Sequence, residues 1–198
     1  MARESSLRNM VFTLTAISVI SSAILGGVYV ATKEPINVAK IAKTNSAIAK
    51  VLPEFNNDPS HESLKVKYKE KEYTVYPASK DGIMIGYAIE SYTSAGFGGR
   101  IVIMVGILES GTIYKTSVIS HSETPGLGDK MVEGKSDFSK QFENILPSNL
   151  SGGEFAVKKD GGDFDAITAS TISSRAFCDA LNSAYGVFEA IKNESKNE

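Results

Sequence analysis

Apolar residues occupy almost every position from 10 to 31, and no charged residue stands between Asn9 and Thr32. At about 1.5 Å per residue a helix of that length spans roughly 33 Å, enough for the hydrocarbon core of a bilayer. The Ser and Thr residues within it can return hydrogen bonds to their own helix backbone. A cleaved signal peptide has a shorter apolar run and a small-residue cleavage site, and Tyr29-Val30-Ala31 matches one poorly. The run therefore reads as an uncleaved transmembrane helix over 10–31, after a short tail over 1–9.

Beyond Pro35 the period changes. Val38, Ile41, Ile48 and Leu52 fall on one helical stripe that stops at Pro53, which predicts a stalk helix over 32–53. Leu64, Val66 and Tyr68 alternate with lysines, and Tyr73 and Val75 alternate again, so two strands are expected there. Further strand-like runs cover 83–92, 100–108 and 112–120, broken by Gly96-Phe97-Gly98-Gly99 and Glu109-Ser110-Gly111. Strands in succession point to an antiparallel sheet rather than βαβ units. The stretch 123–162 is irregular, with a short helix expected around 138–145. Phe177, Ala180, Leu181, Ala184, Phe188 and Ile191 define one face of a last helix over 172–192. The fold class is α+β: one transmembrane helix, then a domain over 54–198 with an antiparallel sheet and a C-terminal helix.

Composition narrows the chemistry. With 42% hydrophobic and 22% charged residues the chain is globular in character, and a net charge of −2 with no basic face offers nothing to nucleic acid. One cysteine and two histidines, His61 and His121, exclude an intramolecular disulfide, a CxxC site and a His-rich metal centre. No metal and no catalytic side chain are assigned, so redox work would need an organic cofactor. Arg3 and Arg8 precede the apolar run while Lys33, Lys40 and Lys43 follow it, so charge leaves the orientation open.

Two segments are candidates for a ligand site. In Asp165-Ala166-Ile167-Thr168-Ala169-Ser170-Thr171-Ile172-Ser173-Ser174, hydroxyl groups crowd the start of the last helix, where free N–H groups and the helix dipole favour a phosphate. An ordinary N-cap explains the same residues. In Glu123-Thr124-Pro125-Gly126-Leu127-Gly128, Pro125 fixes φ and the glycines allow positive φ, so backbone can approach a ligand, although a plain turn has the same make-up. His121 alone is a packed or surface histidine as readily as a base. Gly96–Gly99 lacks G-x-G-x-x-G spacing and βαβ context, and reads as a hairpin or bulge.

In this order the anchor, the strands around Gly96-Phe97-Gly98-Gly99, the Glu-Thr-Pro-Gly-Leu-Gly run and the threonine motif resemble the RnfG family, the FMN-binding component of Rnf complexes. More distantly they resemble the corresponding FMN-binding component of the sodium-pumping NADH:quinone reductase. That family's motif Ser/Thr-Gly-Ala-Thr carries FMN as a phosphoester on its last threonine. The resemblance thus implies covalent FMN on Thr171, with Thr168, Ala169 and Ser170 before it and Ser174 beyond. It also implies a second contact set of Glu123, Thr124, Gly126, Leu127 and Gly128. Ala169-Ser170 replaces the family's Gly-Ala, and if position 169 has positive φ the alanine costs roughly 1 kcal/mol or more.

The resemblance further implies a redox subunit of a translocase that moves electrons between ferredoxin and NAD, coupled to Na⁺ or H⁺ transport. Partners are then other Rnf-type membrane subunits and a maturing flavin transferase, with the domain on the extracytoplasmic side of the cytoplasmic (inner) membrane. The rival readings are a stand-alone flavinylated carrier, a membrane-tethered binding domain, and a pilin-like protein. Against the last, no glycine precedes Phe12 and Ala16 stands where pilins carry glutamate.

Overall fold

A computed structural model describes residues 6–194. Of the tail expected over 1–9, positions 1–5 lie outside the described residues, and the first helix has already begun at Leu7. That helix, α1 (Leu7–Val51), is a single element of 45 residues in place of a separate anchor and stalk. Pro35 lies inside it. Proline removes one N–H donor and strains the preceding turn, but the side chains around it are exposed and the freed carbonyl of Ala31 is not shut inside protein. The stretch from Leu7 onward is long and apolar enough to cross a membrane, and none of its most apolar window is buried in the protein. The chain divides into two compact units between Lys43 and Thr44.

The second unit is built on five antiparallel strands, β1 (Leu64–Tyr68), β2 (Lys71–Lys80), β3 (Ile83–Gly96), β4 (Gly99–Leu108) and β5 (Ile113–Ser120), in sequential order. The register places Val75 opposite Ile89, Ile89 opposite Val105, and Ile103 opposite Val118. The last helix, α2 (Thr171–Glu194), covers one face. It buries Phe177, Ala180, Leu181, Ala184, Phe188 and Ile191 against Tyr73, Val75, Ile89, Ile103 and Val105. Each fully buried large side chain stabilises the fold by about 1.5–3 kcal/mol.

The end of α1 covers the other face, where Ala47, Ile48, Val51 and Leu52 meet Tyr76, Ala78, Ala88 and Met104. Inner strand β4 is therefore buried without interruption from Ile101 to Ile107 instead of alternating. Gly106 permits this approach, because a Cβ there would collide with the carbonyl of Val51.

The helix expected over 138–145 is instead a 3₁₀ turn, Ser139–Phe142. Phe138 and Phe142 are buried as a helical spacing requires, in a ring cluster with Phe155, Phe164 and Phe177. The helix stops because Asn144 adopts φ +57° and Ile145 exchanges backbone hydrogen bonds with Ile113, at 2.8 and 3.2 Å. Strand pairing takes the backbone groups that a longer helix needs.

Candidate functional site

A cleft of about 350 Å³ opens where three segments far apart in the chain meet. Its walls are Phe97 from the β3–β4 hairpin, Glu123, Thr124, Leu127 and Gly128 from the stretch after β5, and Ala169–Ser173 from the entry to α2. Its volume falls within the range of small-molecule sites.

Thr124-Pro125-Gly126-Leu127 is a turn closed by Leu127 N–H donating to the Thr124 carbonyl at 3.2 Å. Gly126 has φ +77°, the left-handed region that a type II turn demands at its third residue. This presents Leu127 to the cleft. A second turn closes where Ser170 N–H donates to the Ile167 carbonyl at 2.9 Å, with Ala169 at φ +61°. Position 169 does have positive φ, and alanine holds it. Buried Ser174 ties this turn to the helix: its hydroxyl accepts from Ile167 N–H at 2.9 Å and donates to the Ser170 carbonyl at 3.0 Å.

The first helical bond of α2 runs from Ser174 N–H to the Ser170 carbonyl at 3.0 Å. The N–H groups of Thr171, Ile172 and Ser173 precede it and belong to the positive end of the helix. Thr171 is half-buried at the cleft, and its hydroxyl oxygen accepts from Lys159 Nζ at 3.4 Å. Lys159 belongs to a 3₁₀ turn (Lys158–Asp160). That turn is held to α2 by a two-pronged pairing of Arg175 with Asp160 at 2.6 and 2.7 Å. The hydrogen bond from Arg175 holds the Asp160 carboxyl below the usual carboxylate range. A phosphate on the Thr171 oxygen would meet helix N–H groups and a cation, with apolar walls beyond it. The residues present fit a flavin mononucleotide.

Glu123 is buried beneath the cleft, at 5% exposure. Its carboxylate accepts from the Ser173 hydroxyl at 2.5 Å and from Gly98 N–H at 2.9 Å. The surrounding glycines leave no room for a side chain. A Cβ at Gly96 would stand 2.6 Å from Glu123 Oε1, and one at Gly128 would stand 2.5 Å from Ser173 Oγ.

Residues 96–186 match the model of the FMN-binding domain family. The G-type subunit of the ion-translocating oxidoreductase complex of Haemophilus influenzae (strain PittEE) is 36% identical over 168 residues, covering 81% of this chain and 79% of that protein. The same-named proteins of Erwinia tasmaniensis and Pasteurella multocida are each 32% identical, over 89% and 92% of this chain and 87% and 94% of theirs. The chain belongs to the RnfG family of ion-translocating oxidoreductase complexes.

The FMN-binding domain of this RnfG family member contains the whole cleft. Of the residues singled out from the sequence, Glu123, Thr124, Leu127, Gly128, Ala169, Ser170 and Thr171 line it. Thr168 is exposed outside the lining, Gly126 shapes the turn, and Ser174 is spent inside its own turn. Ile172 and Ser173, inside the candidate segment but not named as contacts, also line the cleft, as does Phe97 from the glycine group read as a hairpin or bulge. The only signal for Phe97 was an aromatic residue set among glycines, which a hairpin explained without a ligand.

Proposed function

We propose that the chain is a membrane-anchored, single-pass electron-carrying subunit whose FMN is bonded through its phosphate to Thr171 Oγ1. One observation supports this above the rest: a half-exposed threonine hydroxyl at the positive end of α2 opens onto a cleft large enough for a ligand, instead of capping the helix. FMN, when bound, supplies one-electron transfer that these side chains cannot. Thr171 serves as tether and takes no part in turnover. The first-turn N–H groups of α2 stabilise a phosphodiester charge by about 0.3–1 kcal/mol, and Lys159 stands beside the same oxygen. Leu127 packs against the ring system, and backbone around Thr124–Gly128 hydrogen-bonds to it.

In this reading the partners are the other membrane subunits of an ion-translocating oxidoreductase complex, and a flavin transferase matures the chain. The FMN-binding domain lies on the extracytoplasmic side of the cytoplasmic membrane, where a tether prevents loss of the cofactor. The test is the intact mass of the chain co-produced with a flavin transferase. The wild type should gain FMN less one water, and Thr171→Ala should gain nothing. An unmodified wild type defeats the reading.

A further inference from the structure

We propose that Phe97 stacks on the flavin ring and, with Leu127, decides that a flat conjugated ligand is what this cleft accepts. The inference rests on the FMN reading of the site and adds a residue from a third segment, outside both the threonine motif and the 123–128 turn.

Phe97 is the tip residue of the β3–β4 hairpin and is 71% exposed, an unusual position for a phenyl ring on a structured turn. It faces a cleft whose other apolar walls, Leu127 and Ile172, are also open, at 40% and 49% exposure. Exposed apolar groups converging on one cavity mark a binding surface rather than scattered surface residues. The tip is also held in place. Gly99 adopts φ +98°, and Gly98 N–H donates to the buried carboxylate of Glu123 at 2.9 Å. A side chain at Gly98 would collide with the Ser122 carbonyl. The hairpin is thus clamped to the base of the cleft while its one large side chain stays uncovered. An aromatic ring on a rigid support loses little freedom when a second ring lies against it, and aromatic stacking tolerates any flat π-face.

The chain contains no tryptophan, which gives a direct optical test on the flavinylated full-length protein. An indole stacked on a flavin quenches its fluorescence by electron transfer in the excited state, whereas a phenyl ring is too hard to oxidise. Phe97→Trp should keep the mass gain of the wild type and lose flavin fluorescence several-fold. Ile83→Trp, at an equally exposed site (73%) at the opposite end of β3, should leave fluorescence unchanged. Phe97→Ala should retain the attached flavin but lower its fluorescence anisotropy, because the ring loses its support. A flavinylated Phe97→Trp as bright as Ile83→Trp, or an unchanged anisotropy in Phe97→Ala, overturns the assignment while the tether on Thr171 stands. A wild type with no added mass instead removes the FMN reading itself.

Discussion

Replacing Ala169 by glycine should stabilise the protein, against the usual direction of an Ala→Gly change. Ala169 is the third residue of the turn closed by Ser170 N–H and the Ile167 carbonyl, and its φ is +61°. In that region the Cβ crowds its own backbone, at a cost of about 1–2 kcal/mol for an L-residue. Glycine removes this cost, but its unfolded chain is freer, which returns about 0.4–1 kcal/mol. At the middle of both ranges the net gain is about 0.8 kcal/mol. For a folded unit of this size, 1 kcal/mol corresponds to about 2–4 °C in Tm.

The assay is thermal unfolding of the detergent-solubilised full chain, followed by circular dichroism, before any flavin is attached. Ala169→Gly should raise Tm by about 1–4 °C, and Ala169→Val should lower it, because a β-branched residue tolerates positive φ worse than alanine. A fall in Tm for the glycine variant would refute the reasoning. It would mean that the methyl group of Ala169 makes contacts worth more than the strain of its backbone.

Three other outcomes follow from the same structure. Glu123→Ala removes the shared acceptor of Ser173 Oγ and Gly98 N–H, and each donor left unpaired costs about 1–3 kcal/mol; urea unfolding should show a lower midpoint, with Glu123→Gln milder because it keeps one acceptor. Phe142→Ala empties the centre of the ring cluster, where Phe142 is fully buried, and should cost about 3–5 kcal/mol in the same assay. Asp129 lies below its ordinary 3.8, first because of a hydrogen bond from Lys135. Its contribution to stability is present above 3.8 and disappears as pH falls through the lower folded value. Lys135→Ala should therefore be less stable than wild type at neutral pH, and the difference should vanish in strong acid, as read by fluorescence-detected unfolding across pH.

The legible parts of this molecule are those where one periodicity persists long enough to dominate. Every residue of the stripe from Phe177 to Ile191 is buried in α2, within a face that also takes in Ala176, Cys178 and Val187, and the alternation from Leu64 to Val75 becomes the β1–β2 hairpin. The helix expected around 138–145 gives way to a single 3₁₀ turn because Phe138 and Phe142 serve a ring cluster, a tertiary demand invisible in local pattern. Pro35 does not interrupt α1, since a helix with exposed sides tolerates the lost donor. In the site, the turn at 124–127 was readable from Pro125 and Gly126, because turn chemistry is local, whereas the hydroxyl run marked the start of α2 but not the turn closed between Ile167 and Ser170. Phe97 was not readable, since its place in the cleft lining depends on which segments the sheet brings beside it.

Those segments are joined by hydrogen bonds to one carboxylate rather than by secondary structure. Glu123 reaches 25 residues back to Gly98 and 50 forward to Ser173, so a single buried group sets the spacing between the Phe97 hairpin, the Leu127 turn and the mouth of α2. Because both bonds point inward and glycines close around them, Glu123 contributes architecture, and the face toward a ligand is left to backbone N–H groups, the Thr171 hydroxyl and apolar side chains. Stability and ligand geometry should therefore separate by position. Changes at Glu123 disturb both together, since loss of the carboxylate frees the hairpin tip as well as the helix entry. Changes at Leu127 or Ile172, which are open to solvent, should alter ligand contacts and leave the free energy of unfolding within about 0.5 kcal/mol of wild type.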